Sequence, residues 1–203
     1  MRIWFDIESN SKSAYSAEPI EMYFLREDGV SYHFKSKIDK WSYEAEEIHG
    51  ISKAEMLMHP DKKDAFGALI SWLPDTFELV CFANPQTELG FLLYDVVVFK
   101  YSIMNHLNLA RDIHLPFEIT SSSVHSLAKQ CAKECLFDPY RKPETNRVSF
   151  TQDNVYLALF GQMPFGSHRA KSDVENMKRI YSRLIELKES GKSIANKQQM
   201  ELI

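Results

Sequence analysis

The sequence predicts a mixed α/β fold, with a sheet that opens as an antiparallel meander, adds parallel strands and is flanked by helices. Three observations carry this expectation. Strand-like runs come first, and Asp28-Gly29 lies between two of them, a strong hairpin signal. A continuous apolar run at residues 77–83 stands among segments of helical period, as a strand buried on both faces does. Finally, 203 residues with 44% apolar and 26% charged side chains suffice for one substantial core.

Taken in order, residues 3–7 form an apolar run with Asp6 inside it, followed by the polar cluster at 9–13. They are read as a strand entering a loop. Residues 20–26 and 30–36 are the two arms of the hairpin. Pro60-Asp61 opens a helix in which Phe66, Leu69, Ile70 and Leu73 share a face, stopping before Pro74. Residues 86–104 keep helical spacing through Leu89, Leu92, Leu93, Val96 and Val97, although the valines also suit a strand. Ser122 and Ser123 can cap a helix reaching Cys135, residues 151–160 form another, and residues 167–187 form the last, with Val174, Met177, Tyr181, Leu184 and Ile185 along one stripe. One domain over residues 1–190 and a mobile tail over 191–203 are expected.

Composition excludes several classes. The 24 basic and 28 acidic residues give a formal charge of −4 and a pI near 6.0, so no overall field attracts phosphate. The longest apolar stretch, residues 91–103, is broken by Asp95 and Lys100, which argues against a membrane span. The start, with Arg2, Asp6 and Glu8, does not read as a signal peptide. Three cysteines cannot all pair, so a reducing compartment, the cytoplasm, is expected. Cys131 and Cys135 are four apart near His125, an incomplete zinc set that reads as buried free thiols.

Two groups of residues have the types that chemistry needs. Asp6 and Glu8 lie at i and i+2, so on a strand both carboxylates leave the same face. They repel each other unless a cation such as Mg²⁺ or Mn²⁺ lies between them. Asp-x-Glu alone also suits a solvated edge strand, but the flanking Ile3, Trp4, Phe5 and Ile7 indicate a buried one. His168 and Asp173 fall at the start of the last helix and about a turn and a half inside it. A histidine there can accept a proton from water, and an aspartate can hold a metal.

Together and in this order, the two groups resemble the DnaQ-like 3′→5′ exonuclease superfamily, in its DEDDh branch. Members carry Asp-x-Glu on the first strand, a middle Asp at a helix start and His-x-x-x-x-Asp near the end. Here these read Phe5-Asp6-Ile7-Glu8 and His168 to Asp173. Ile48-His49-Gly50-Ile51-Ser52 is similar to the family's His-Gly-Ile segment beside the strand-binding cleft, and Leu127-Ala128-Lys129 resembles the helix after the middle motif. The resemblance runs over about residues 3–187 and implies an RNase H-like fold. The middle motif departs from the usual His-Asn-Ala-x-Phe-Asp. In Ala83-Asn84-Pro85-Gln86-Thr87-Glu88, Asn84 fits and Glu88 stands where Asp is expected, one methylene longer. Asp95 is a substitute about two helical turns on; Glu88 is favoured.

The resemblance further implies two Mg²⁺ or Mn²⁺ ions held by Asp6, Glu8, Glu88 and Asp173, with His168 as general base. The product would be nucleoside 5′-monophosphates released from the 3′ end of single-stranded DNA or RNA. Activity should then fall below about pH 6–6.5. Substrate contacts are expected from Ser9, Asn10, His49, Gly50, Ile51, Asn84 and Arg169. Lys129, Lys133, Arg141, Lys142, Arg147 and Lys171 are further candidates for phosphate. A homodimer and a subunit of a larger complex both fit. The alternative is a catalytically silent relative that binds nucleic acid or a protein.

Overall fold

The computed structural model describes residues 1–11, 16–82, 94–106, 118–166 and 168–194. A five-stranded sheet has the order β3-β2-β1-β4-β5. β1 (Arg2–Ser9), β2 (Pro19–Arg26) and β3 (Ser31–Lys35) are antiparallel neighbours, whereas β4 (Thr76–Cys81) and β5 (Glu118–Ser123) continue parallel to β1. The expected meander and hairpin are present. At the turn, Arg26 N–H donates to Val30 O at 2.8 Å, and Gly29 takes φ +88°, which glycine adopts without steric cost. Parallel strands require crossovers, and helices supply them.

β1 is central, and its alternation divides the core. Ile3, Phe5 and Ile7 face α3 (Lys62–Trp72) and α4 (Tyr94–His106), packing with Phe24, Phe66, Leu69 and Phe99. Trp4 faces the other way, toward α5 (Val124–Lys133), α6 (Gln152–Phe160) and α7 (Ala170–Ser190), among Val174, Met177, Ile180 and Leu184. Asp6 and Glu8 share the parity of Trp4, so they lie on the α7 side at the C-terminal end of the strand.

Sequence and structure differ in four places. β5 was not expected, because Glu118-Ile119-Thr120-Ser121-Ser122-Ser123 has only one large apolar side chain; backbone pairing to β4 makes it a strand. Two short helices, α1 (Tyr43–His49) and α2 (Lys53–Leu57), were also not expected; Ser42 and Ser52 cap them by accepting from Ala45 N and Glu55 N. The helix expected over 86–104 is α4 from Tyr94, and residues 86–93 lie outside those described. The last helix begins at Ala170 rather than Ser167, because His168 takes φ +67° and leaves the helical path. Cys131 is buried as expected, whereas Cys135 is exposed. Beyond α7, Ile194 N donates to Leu136 O at 2.9 Å; the rest of the expected tail lies outside the described residues. Among the described residues, no helix is long and apolar enough to cross a membrane.

Candidate active site

Three predicted residues converge. Asp6, Glu8 and Asp173 offer carboxylate oxygens that all lie within 4.8 Å of one another. Strand alternation aims the first two at the same point, and the first turn of α7 brings in the third. Burial raises the Asp6 pKa well above the ordinary range, with Asp95, Glu8 and Asp173 adding like charge. Burial, then Asp173, Glu21 and Asp95, push Glu8 up to about 8 against the pull of Arg169. Asp173 rises to about 6, mainly through burial.

A fourth carboxylate, Asp95, lies outside that group but is felt by it electrostatically. It sits in the first turn of α4, and burial followed by the Asp173 charge raises its pKa to about 7. Its own charge in turn raises Asp6 and Glu8. The sequence pointed to Glu88 for this position, and Glu88 lies outside the described residues, as does Asn84. One signal did favour Asp95. Tyr94-Asp95 is an aromatic-Asp pair at a helix start, like the Phe-Asp of the family pattern.

Asp173 is held at both oxygens. The His168 backbone N–H donates to Oδ2 at 2.8 Å, and Gln152 Nε2 donates to Oδ1 at 3.1 Å and to the Asp173 carbonyl at 3.0 Å. Gln152, at the start of α6, was not anticipated. The His168 residue is exposed, and its backbone is tied directly to a carboxylate of the cluster.

The predicted substrate contacts divide differently. Asn10 Nδ2 donates to Lys40 O at 2.7 Å and its Oδ1 accepts from Glu18 N at 2.8 Å, so its side chain braces the loop after β1. Ser9 Oγ donates to Ser11 O at 2.9 Å. His49 and Ile51 are buried at 3% and 0% exposure, and His49 Nδ1 accepts from Ile51 N. Gly50 ends α1 in the left-handed region. His49 and Ile51 thus pack inward, whereas Gly50 between them is exposed. Arg169 donates from Nε to Glu21 Oε2 at 2.9 Å and from Nη2 to Glu55 Oε1 at 3.1 Å. Lys129 lies over Phe150, and Lys133, Arg141, Lys142, Arg147 and Lys171 are exposed.

A donor set of three close carboxylates, partly buried and all with raised pKa, fits a divalent cation: hard oxygen ligands whose mutual repulsion a metal would remove. The fold also matches known structures. The zinc-bound complex of E. coli exonuclease I with single-stranded DNA superposes with a TM-score of 0.68 over 92% of this chain, at 14% identity. Exonuclease I from Methylocaldum szegediense gives 0.68 over 91%, also at 14% identity. A further exonuclease I structure, solved to explain processivity, gives 0.64 over 91% at 15%. This is an RNase H-like α/β fold. The chain spans 40% of the length of each of those exonuclease I chains. No protein family matches the sequence, and no curated protein does.

Proposed function

We propose that this RNase H-like chain is a metal-dependent exonuclease that shortens single-stranded DNA or RNA from the 3′ end, releasing nucleoside 5′-monophosphates. The observation that carries this reading is the convergence of Asp6, Glu8 and Asp173 to within 4.8 Å beside the exposed His168. The single-stranded DNA held by the E. coli neighbour supports the substrate class. Asp6, Glu8, Asp173 and Asp95 would hold Mg²⁺ or Mn²⁺. Bound there, the metal supplies positive charge for the attacking and leaving oxygens of a phosphodiester. The protein's own part is to fix these carboxylates on a rigid strand and two helix starts, and to present His168 as the base that takes the proton from the attacking water. Gln152 and the His168 amide keep Asp173 oriented.

The reading is tested by a time course on 5′-labelled single-stranded DNA and RNA with Mg²⁺, Mn²⁺ or EDTA. The Asp6→Ala, His168→Ala double variant serves as the contamination control. A metal-dependent ladder that shortens from the 3′ end and is absent in the variant is the expected result. No shortening with either metal would leave a nucleic-acid or protein binder in place of an enzyme.

Phe165 adds a substrate contact that the sequence did not suggest. It is 94% exposed and three residues before His168, and its carbonyl accepts from the Asn176 side chain at 3.3 Å. An exposed ring on an anchored backbone suits stacking on an unpaired base. Phe165→Ala should raise KM for an oligonucleotide about 5- to 100-fold, from the ~1–3 kcal/mol that one stacked base contributes, with kcat changed less. On an oligonucleotide with abasic 3′-terminal nucleotides the difference should vanish. An equal loss on the abasic strand would rule out stacking.

A further inference from the structure

We propose that Arg169 is a positioning residue, which clamps the His168 loop to the sheet through Glu21 and Glu55. This rests on the exonuclease reading of the site, since it concerns how the proposed base is placed.

Glu21 is 1% exposed in the middle of the sheet, a costly position for a carboxylate without partners. Both of its oxygens are taken. Arg169 Nε donates to Oε2 at 2.9 Å, and His33 Nε2 from the neighbouring strand lies 2.5 Å from Oε1. The other arm of the guanidinium reaches Glu55 on α2 at 3.1 Å. Two of the five N–H donors of the arginine fork are therefore spent on two carboxylates from two separate elements, which fixes the plane of the guanidinium. Glu21 also stands directly opposite Glu8 in the β1–β2 register. The clamp thus links β2, the strand paired with the one that carries two site carboxylates, to the loop that carries the base.

That loop needs an anchor. Gly166 takes φ +72° and His168 φ +67°, the latter a left-handed conformation that few non-glycine residues adopt. A Cβ on Gly166 would come within 2.9 Å of Ser172 Oγ, so the turn is tight as well as strained. On one side of Arg169, the His168 amide is held by Asp173 Oδ2. On the other, Ala170 starts α7 fully buried. Arg169 is the residue between these two points that ties the turn to β2 and α2. Its register with the carboxylates sets where the His168 ring can stand.

The test uses the full chain with Arg169→Gln, Arg169→Lys, Glu21→Gln and Glu55→Gln, each checked by its melting curve. Amide hydrogen exchange over residues 165–170 is read without metal, and kcat and KM are read on a 5′-labelled oligonucleotide. Arg169→Gln and Glu21→Gln should each speed exchange in this segment about tenfold or more. Each should also lower kcat about 10- to 100-fold, as a displaced catalytic group does, with KM within about threefold. Arg169→Lys, which keeps one ion pair, should recover part of both. Should Glu21→Gln not fold, Glu55→Gln carries the same prediction at smaller size. A phosphate contact predicts otherwise: Arg169→Gln raises KM and flattens its salt dependence, while Glu21→Gln, by freeing the guanidinium, keeps or lowers KM. That pattern overturns the clamp, and so does unchanged exchange in Arg169→Gln. If the wild-type chain hydrolyses nothing, the exonuclease reading falls, and the exchange measurement still decides the clamp.

Discussion

Asp95→Asn is expected to slow metal-dependent strand shortening by about three orders of magnitude, on the scale of removing a group that stabilises transition-state charge. Glu88→Gln is expected to stay within about tenfold of wild type. The two variants separate the two candidates for the fourth carboxylate. Asp95 has a physical claim because its charge is felt at Asp6 and Glu8, and it is itself raised to about 7 by burial and Asp173. A carboxylate on the surface of α4 would show neither effect. The substitution keeps shape and one acceptor oxygen while removing the charge, so the loss measures the carboxylate and not the packing. Calorimetric titration with Mn²⁺ should show the same ranking, with Asp95→Asn weakening or abolishing one binding event. The opposite ranking, with Glu88→Gln inactive and Asp95→Asn active, would return the position to the residue that the motif spacing favours.

That contest shows where the sequence was legible and where it was not. The first two strands, the Asp28-Gly29 turn, β4 and the helix after Asp61 follow from apolar period and turn chemistry, which are local properties. So do Asp6 and Glu8, because strand alternation alone puts them on one face. β5 escaped because its Ser and Thr residues carry no apolar pattern, and only pairing with β4 defines it. α2 had a readable signal, since Ser52-Lys53-Ala54-Glu55 has the spacing of a capping box. Arg169 was read as one of several basic side chains that supply local phosphate contacts on an otherwise acidic protein. Its partner Glu21 is 148 residues away, and no local rule connects them. Asp95 was ranked behind Glu88 because motif spacing is counted along the chain, whereas the charge of Asp95 reaches Asp6 and Glu8 through the fold.

The same cluster should make the protein pay for its site in stability. Without metal, the melting temperature is expected to fall by about 5–10 °C between roughly pH 6.5 and 8.5, and saturating Mn²⁺ should restore most of it at the upper end. Folding raises the carboxyl pKa of Glu8 to about 8 and of Asp95 to about 7, and raises Asp6 well above its ordinary value. Between the unfolded and folded pKa values the folded chain holds protons that the unfolded chain has lost, so stability decreases as pH rises through that window. The sum is on the order of 3 kcal/mol. The window begins near pH 6.5 for a reason. His49, His59 and His125 are buried with lowered pKa, the last to about 4, and below their unfolded values they give the opposite slope. Above it their contribution is constant. Asp95→Asn should therefore raise the metal-free melting temperature at about pH 8 while shrinking the gain from Mn²⁺. A metal-free melting temperature that stays level or climbs through this window would mean that the carboxylates are not held in repulsion, and the case for a metal between them would lose its physical basis.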